Sequence, residues 1–211
     1  MKKLIKRREI PAGNPVSDNA LLDRLYRSRH IKNSQELDRT LQSMLNPNKL
    51  YGIQQAVDLL FEAYQQQQKI VIVGDFDADG ATSTALSVLA LRMLGFTDVE
   101  YLVPNRFEQG YGLSVPVAEM AMEKGVQLLM TVDNGVSSFE GVAYLKEQGV
   151  KVLITDHHLP PEILPNADAI VNPNLQQCDF PSKCLAGVGV AFYLMLALLS
   201  LIHISEPTRL Q

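Results

Sequence analysis

Three aspartates stand at alternate positions in the decapeptide VIVGDFDADG at residues 71–80: Asp75, Asp77 and Asp79. Carboxylates packed this closely repel one another unless cations neutralise them. Before them an apolar run, Ile70–Val73, stops at Gly74; after them Gly80 opens a helix-like stretch. Asp and Gly are also ordinary turn residues, so a solvated turn between strand and helix is the alternative. Two later segments weigh against it. QLLMTV at 127–132 runs into Asp133, Asn134 and Gly135, and VKVLIT at 150–155 runs into Asp156, His157 and His158. In a parallel α/β sheet, ligands collect at the carboxyl ends of the strands. All three clusters follow such runs, so the fold is expected to gather them in one crevice as a metal site.

The donor chemistry narrows the ion. An oxygen-rich set with one or two imidazoles suits Mn²⁺ or Mg²⁺ better than zinc, which favours thiolates and histidines in a compact tetrahedron. Carboxylates from three loops can hold two cations a few Å apart, with one carboxylate shared, and such a pair suits in-line attack on a phosphoryl group. The D-x-D-x-D spacing supplies carboxylates on one side, and the distant Asp133 is placed to bridge. Of the adjacent histidines, one serves as ligand and the other as a donor to a phosphate oxygen. The competing reading is that His157 and His158 merely finish a strand.

The elements that must position these groups follow from the changing period. From Ile70 onward, apolar patterning alternates between strand and helix, as in βαβ units. Strands are expected at residues 69–73, 99–103, 127–132, 151–155 and 169–171, and helices at about 81–94, 115–124, 138–147 and 188–199. An amphipathic helix at 54–66 precedes them. SSFE at 137–140 fits a capping box at a helix start just after Asp133. The expected fold class is α/β: a parallel β-sheet of about five strands flanked by helices, preceded by a helical N-terminal segment at 1–50. In that segment Leu21, Leu22, Leu25 and Tyr26 share one face.

Composition excludes little. The chain has 211 residues, 46% of them hydrophobic, enough for a real core. A net charge of −4 gives no global pull toward nucleic acid. Basic residues gather locally, from Lys2 to Arg8 and from Arg24 to Lys32, where phosphate contact and a solvated helix face are equal readings. No apolar h-region follows Arg8, and no apolar run reaches spanning length, so neither a signal peptide nor a membrane protein is expected. Cys178 and Cys184, the only two cysteines, read as reduced cytosolic thiols.

The set GDFDADGATST at 74–84, VDNG at 132–135 and TDHH at 155–158 resembles the motifs of the DHH phosphoesterase superfamily. LVPNRFEQGYGLS at 102–114, VNPN at 171–174 and LAGVGVAFYLMLAL at 185–198 extend the resemblance to its bacterial single-strand-specific 5′→3′ DNA exonucleases, over residues 1–198. The resemblance implies that Asp75, Asp77 and Asp79 bind metals, that Asp133 bridges two of them, and that His157 is a ligand with His158 on the substrate side. Asp156 then reads as ligand or as orienter. Many relatives carry a histidine near position 73, where this chain has valine, and Asp75 is the candidate substitute. Arg106 and Tyr111 follow the second strand, where an arginine can pair with phosphate and a tyrosine can stack on a base or simply pack. The start of the last helix, Gly187, Val188 and Gly189, is read as close helix packing rather than as a phosphate cradle.

The expected function is therefore metal-dependent hydrolysis of single-stranded DNA from the 5′ end, in recombination and repair, with Mn²⁺ or Mg²⁺ as cofactor and a cytoplasmic location. Single-stranded DNA is the expected partner, and the resemblance adds single-strand-binding protein and a helicase. A small-substrate phosphodiesterase or oligonucleotidase and a non-catalytic replication scaffold are the alternatives. LSLIHISEPTR at 199–209 resembles the translation of a sequencing-library adapter, so residues 199–211 are read as a non-native tail on a truncated domain at 51–198. The family's fourth metal-binding aspartate does not occur before that tail. The chain alone is accordingly expected to have little nuclease activity.

Overall fold

The computed structural model describes residues 6, 9–38, 40–105 and 107–205. It divides into two compact units, Met1–Leu45 and Asn46–Gln211. In the first, the only α-helix among the described residues is α1 (Ala20–Arg27). Its N-terminus is capped by Asn19, whose side chain accepts the amides of Leu21 and Leu22. The rest of its described residues form loops and two short 3-10 turns.

In the second unit a 3-10 turn (Pro47–Lys49) precedes α2 (Ile53–Gln65), and the chain then alternates: β1 (Ile70–Val73), α3 (Ala78–Met93), β2 (Val99–Leu102), α4 (Val115–Glu123), β3 (Leu128–Val132), α5 (Phe139–Glu147), β4 (Lys151–Thr155), β5 (Ala169–Val171) and α6 (Gly187–Ser205). The five strands form one sheet in the order β2-β1-β3-β4-β5, and every pairing is parallel. Strands covered by helices on both faces carry continuous apolar runs, and β1 and β3 are buried at every position. Side chains alternate between the faces. Val71, Val73, Leu129, Val152 and Ile154 share a core cluster with the apolar sides of α4 and α5. The intervening Ile70, Ile72, Met130 and Leu153, all buried, face the other layer, where α6 packs against α2 and α3.

The strands fall within a residue of their expected bounds, while two helix termini, the start of α3 and the end of α6, differ by more. Helix α3 starts three residues early, because Asp77 caps it: its Oδ1 accepts the Gly80 amide at 2.9 Å. The capping box expected before α5 does not form. Ser138 is the N-cap without a side-chain cap bond, and its hydroxyl instead accepts the Leu113 amide at 3.3 Å. Helix α6 continues past residue 199 to Ser205 with Ile202 buried, since no helix breaker intervenes before Pro207. Among the described residues, no helix is long and apolar enough to cross a membrane. Cys178 is buried and Cys184 exposed, both as free thiols.

Candidate metal centre

A doubly wound sheet opens a crevice where successive connections leave toward opposite faces, here between the carboxyl ends of β1 and β3. The Asp75–Asp79 segment leaves β1 there, and Asp133 leaves β3. Asp133 is 2% exposed and sits in the left-handed region at φ 61°. Non-glycine residues are held in such conformations only where the surroundings over-determine them. Part of that determination comes from Asn134, whose Nδ2 donates to the carbonyls of Val73 at 3.1 Å and Val132 at 2.9 Å. One amide thus ties the last residue of β1 to that of β3. Gly80 brings the first loop close, since a Cβ there would lie 2.4 Å from the Asp75 carbonyl oxygen.

Three acceptor groups from different loops face one another. His157 Nε2 lies 3.0 Å from Asp133 Oδ1 and 3.5 Å from Asp79 Oδ2. One ligand atom from each of Asp133, His157 and His158 falls within 4.8 Å of the others. Asp133 Oδ1 is buried with no hydrogen-bond donor among the described residues, despite its closeness to the imidazole. A buried carboxylate oxygen left unsatisfied is costly unless a proton or cation reaches it. Burial first, and the neighbouring Asp79 carboxylate second, push the Asp133 carboxyl up to about 6. The donor set is oxygen-rich with imidazole, which fits Mn²⁺ or Mg²⁺.

Asp156 is placed differently. Its Oδ1 accepts the amides of His157 at 2.7 Å and His158 at 3.0 Å and lies 2.7 Å from His158 Nδ1, while Oδ2 accepts the Val136 amide at 2.9 Å. Both oxygens are engaged, and the carboxylate fixes which imidazole nitrogen of His158 faces away from it. Burial lowers the His158 affinity for its proton, but the Asp156 hydrogen bond and charge outweigh this and hold its pKa above the ordinary value. Asp79, in the first turn of α3, receives Gly187 N at Oδ2, 2.7 Å, and Val188 N at Oδ1, 2.8 Å. The glycine-containing start of α6 therefore grips a carboxylate of the protein itself. Packing there is close as expected, for a Cβ on Gly187 would stand 2.5 Å from Asp133 Oδ1.

Asp75 and Asp77 border the cluster without joining its shortest contacts. The Asp75 Oδ1 accepts the Phe76 amide at 2.7 Å, and Asp77 serves as the α3 cap. Their charges still reach the site, as Asp77 helps to raise Asp133 and Asp75 helps to raise His158. Tyr111 meets His158 edge to face with ring centroids 6.5 Å apart. Both line a cavity of about 540 Å³ that extends along Gly135, Ser137 and the start of α5. Arg106 lies outside the described residues. Sequence reasoning missed Asn134 and the Gly187 and Val188 amides. The hydrophobic run ending at Gly135 hinted at a strand-end turn, but nothing local pointed across 108 residues to α6.

The model of the DHH family, N-terminal domain, matches residues 69–209. The chain belongs to the DHH family. Single-stranded-DNA-specific exonuclease RecJ of Haemophilus influenzae is 84% identical over 93% of this chain, and that of Escherichia coli 56% identical over 92%. In each case the match covers 34% of the relative, so the chain spans about a third of the length of the curated relatives it matches. Among solved structures, RecJ of Thermus thermophilus in complex with Mn²⁺ superposes with a TM-score of 0.68 at 35% identity, covering 84% of this chain and 24% of that one. Membership of the DHH family accounts for the parallel sheet flanked by helices.

Proposed function

We propose that this chain is the metal-binding part of a metal-dependent 5′→3′ single-stranded-DNA exonuclease acting in recombination and repair. The observation that carries the reading is the buried, donorless Asp133 oxygen facing His157 and Asp79. Asp79, Asp133 and His157 would hold a divalent cation, Mn²⁺ or Mg²⁺. Asp75 and Asp77, whose charges reach the site, would help hold a second together with Asp133. Bound divalent ions would neutralise charge on the phosphoryl group and activate water.

The protein's own groups do the rest. Asp156, with both oxygens engaged, is an orienting carboxylate; it presents His158 to a phosphate oxygen with its free ring nitrogen. Tyr111 offers a face to a nucleobase across the cavity mouth, and Arg106 is the proposed phosphate partner in the same loop. Single-stranded DNA is the proposed substrate, supported by kinship to the two curated exonucleases. A cytoplasmic location, and single-strand-binding protein and a helicase as partners, rest on that kinship alone. The organisation into an N-terminal extension at 1–50, a DHH domain from 51 to 198 and a non-native tail remains our proposal.

The test is a substrate comparison in a protein of the relatives' full length that carries this chain. Long 5′-phosphorylated single strands should be digested far faster than dinucleotides or pyrophosphate, and only with Mn²⁺ or Mg²⁺ present. Preference for the short substrates would remove the exonuclease reading.

A further inference from the structure

Parallel pairing of β4 with β5 sets Thr155 beside Val171. The two strands therefore end together, and the turn at 156–158 runs alongside the VNPN segment at 171–174. The Asp156 amide continues the ladder, donating to the Val171 carbonyl at 3.1 Å. Beyond that point the contacts pass to side chains. Asn172 Nδ2 donates to the carbonyl of His158 at 2.9 Å, and Asn174 Nδ2 donates to the carbonyl of His157. Asn172 Oδ1 accepts the Asn174 amide at 2.8 Å, which locks the two asparagines to each other. Between them the Pro173 carbonyl accepts from Lys183 Nζ at 2.7 Å.

The backbone of both histidines is thus held from two sides. Asp156 takes their N–H groups, and Asn174 and Asn172 take their carbonyls. We propose that Asn172 and Asn174 are positioning residues that fix His157 and His158 in the geometry needed for the metal and the phosphate, acting through the histidine backbones. Asn172 is fully buried, so its amide has no water to fall back on and its loss is felt at the histidine carbonyl. Groups of this kind, outside the ligands, commonly set metal affinity by a factor of ten or more. The inference rests on the metal-site reading proposed above.

Two variants of the 211-residue chain test it. Asn172→Asp removes the donor to His158 while keeping an acceptor for the Asn174 amide; Asn174→Ala removes the donor to His157 at a half-buried position. Leu145→Ala, on the buried side of α5, serves as a destabilised control. Histidine ring resonances are recorded by NMR on the metal-free proteins, and Mn²⁺ affinity is then measured by calorimetry. The expected result is a shifted His158 signal in Asn172→Asp, a shifted His157 signal in Asn174→Ala, and Mn²⁺ binding weakened roughly tenfold in both, with neither change in the control. If Asn172→Asp does not fold, Asn174→Ala decides alone. Folded variants with unmoved histidine signals and control-like affinity overturn the proposal. Failure of the parent chain to bind Mn²⁺ defeats the metal-site reading instead, and the resonances then decide the positioning role.

Discussion

The amide of Gly187 donates to Asp79 Oδ2 at 2.7 Å, joining the first turn of α6 to the first turn of α3. With Val188 N on the other oxygen at 2.8 Å, the start of α6 holds the Asp79 carboxylate at both atoms. Helix N-termini stabilise negative charge through their free N–H groups and dipole, so a crowded acidic site gains a fixed partner that leaves further lone pairs open toward His157.

A methyl group at 187 should disturb this junction. In Gly187→Ala the new Cβ would sit 2.5 Å from Asp133 Oδ1 and 2.8 Å from Asp133 Cγ. We expect a stability loss of about 1–3 kcal/mol and a larger relative loss of Mn²⁺ affinity, roughly tenfold or more. Thermal unfolding and calorimetry on the same samples check both numbers.

Asp133→Asn should raise metal-free stability at neutral pH. The carboxyl titrates near 3.8 when unfolded and at about 6 when folded. Between those values the folded state binds more protons, so parent stability falls as pH rises from roughly 4 to 6 and stays lowered above. Asparagine carries no charge and tolerates the left-handed backbone. The variant should therefore gain about 3 kcal/mol above about pH 6 and nothing below about pH 4. Chemical denaturation in chelator at several pH values measures the difference.

Asp156→Asn should lower the proton affinity of His158, because it removes the charge that outweighs burial there. An amide oxygen cannot take over every donor now shared by the two carboxylate oxygens. A stability loss of about 2–4 kcal/mol is expected. NMR titration of the His158 ring reads the first effect, and denaturant unfolding the second.

Tyr111→Ala in the full-length protein should raise KM for single strands roughly tenfold with kcat changed little, as loss of one stacking platform implies. Steady-state digestion of a labelled single strand separates the two parameters.

The sheet and the three loops were legible because strand-end carboxylates and histidines advertise themselves locally, each after an apolar run. Asp75, Asp77, Asp79, Asp133, His157 and His158 all stand at the carboxyl edge. What sequence could not convey is how donors are shared at a distance. SSFE at 137–140 looked like a capping box, yet the hydroxyl of the N-cap Ser138 serves Leu113, which only the folded chain brings near. Asp156 reads from the sequence as ligand or as orienter, and only the folded chain shows four nitrogens around its oxygens. Asn134 reads as a turn residue in any sequence; its bond to Val73 depends on β1 and β3 being neighbours.

We propose that Asp133, Asp79 and His157 form a divalent-cation site. Calorimetric titration of Mn²⁺ into the folded 211-residue chain, beside Asp133→Asn, tests it most directly. Saturable binding by the parent is expected, weakened at least a hundredfold in the variant while circular dichroism stays unchanged. A folded parent that binds no Mn²⁺, or a variant that binds it equally well, would contradict it.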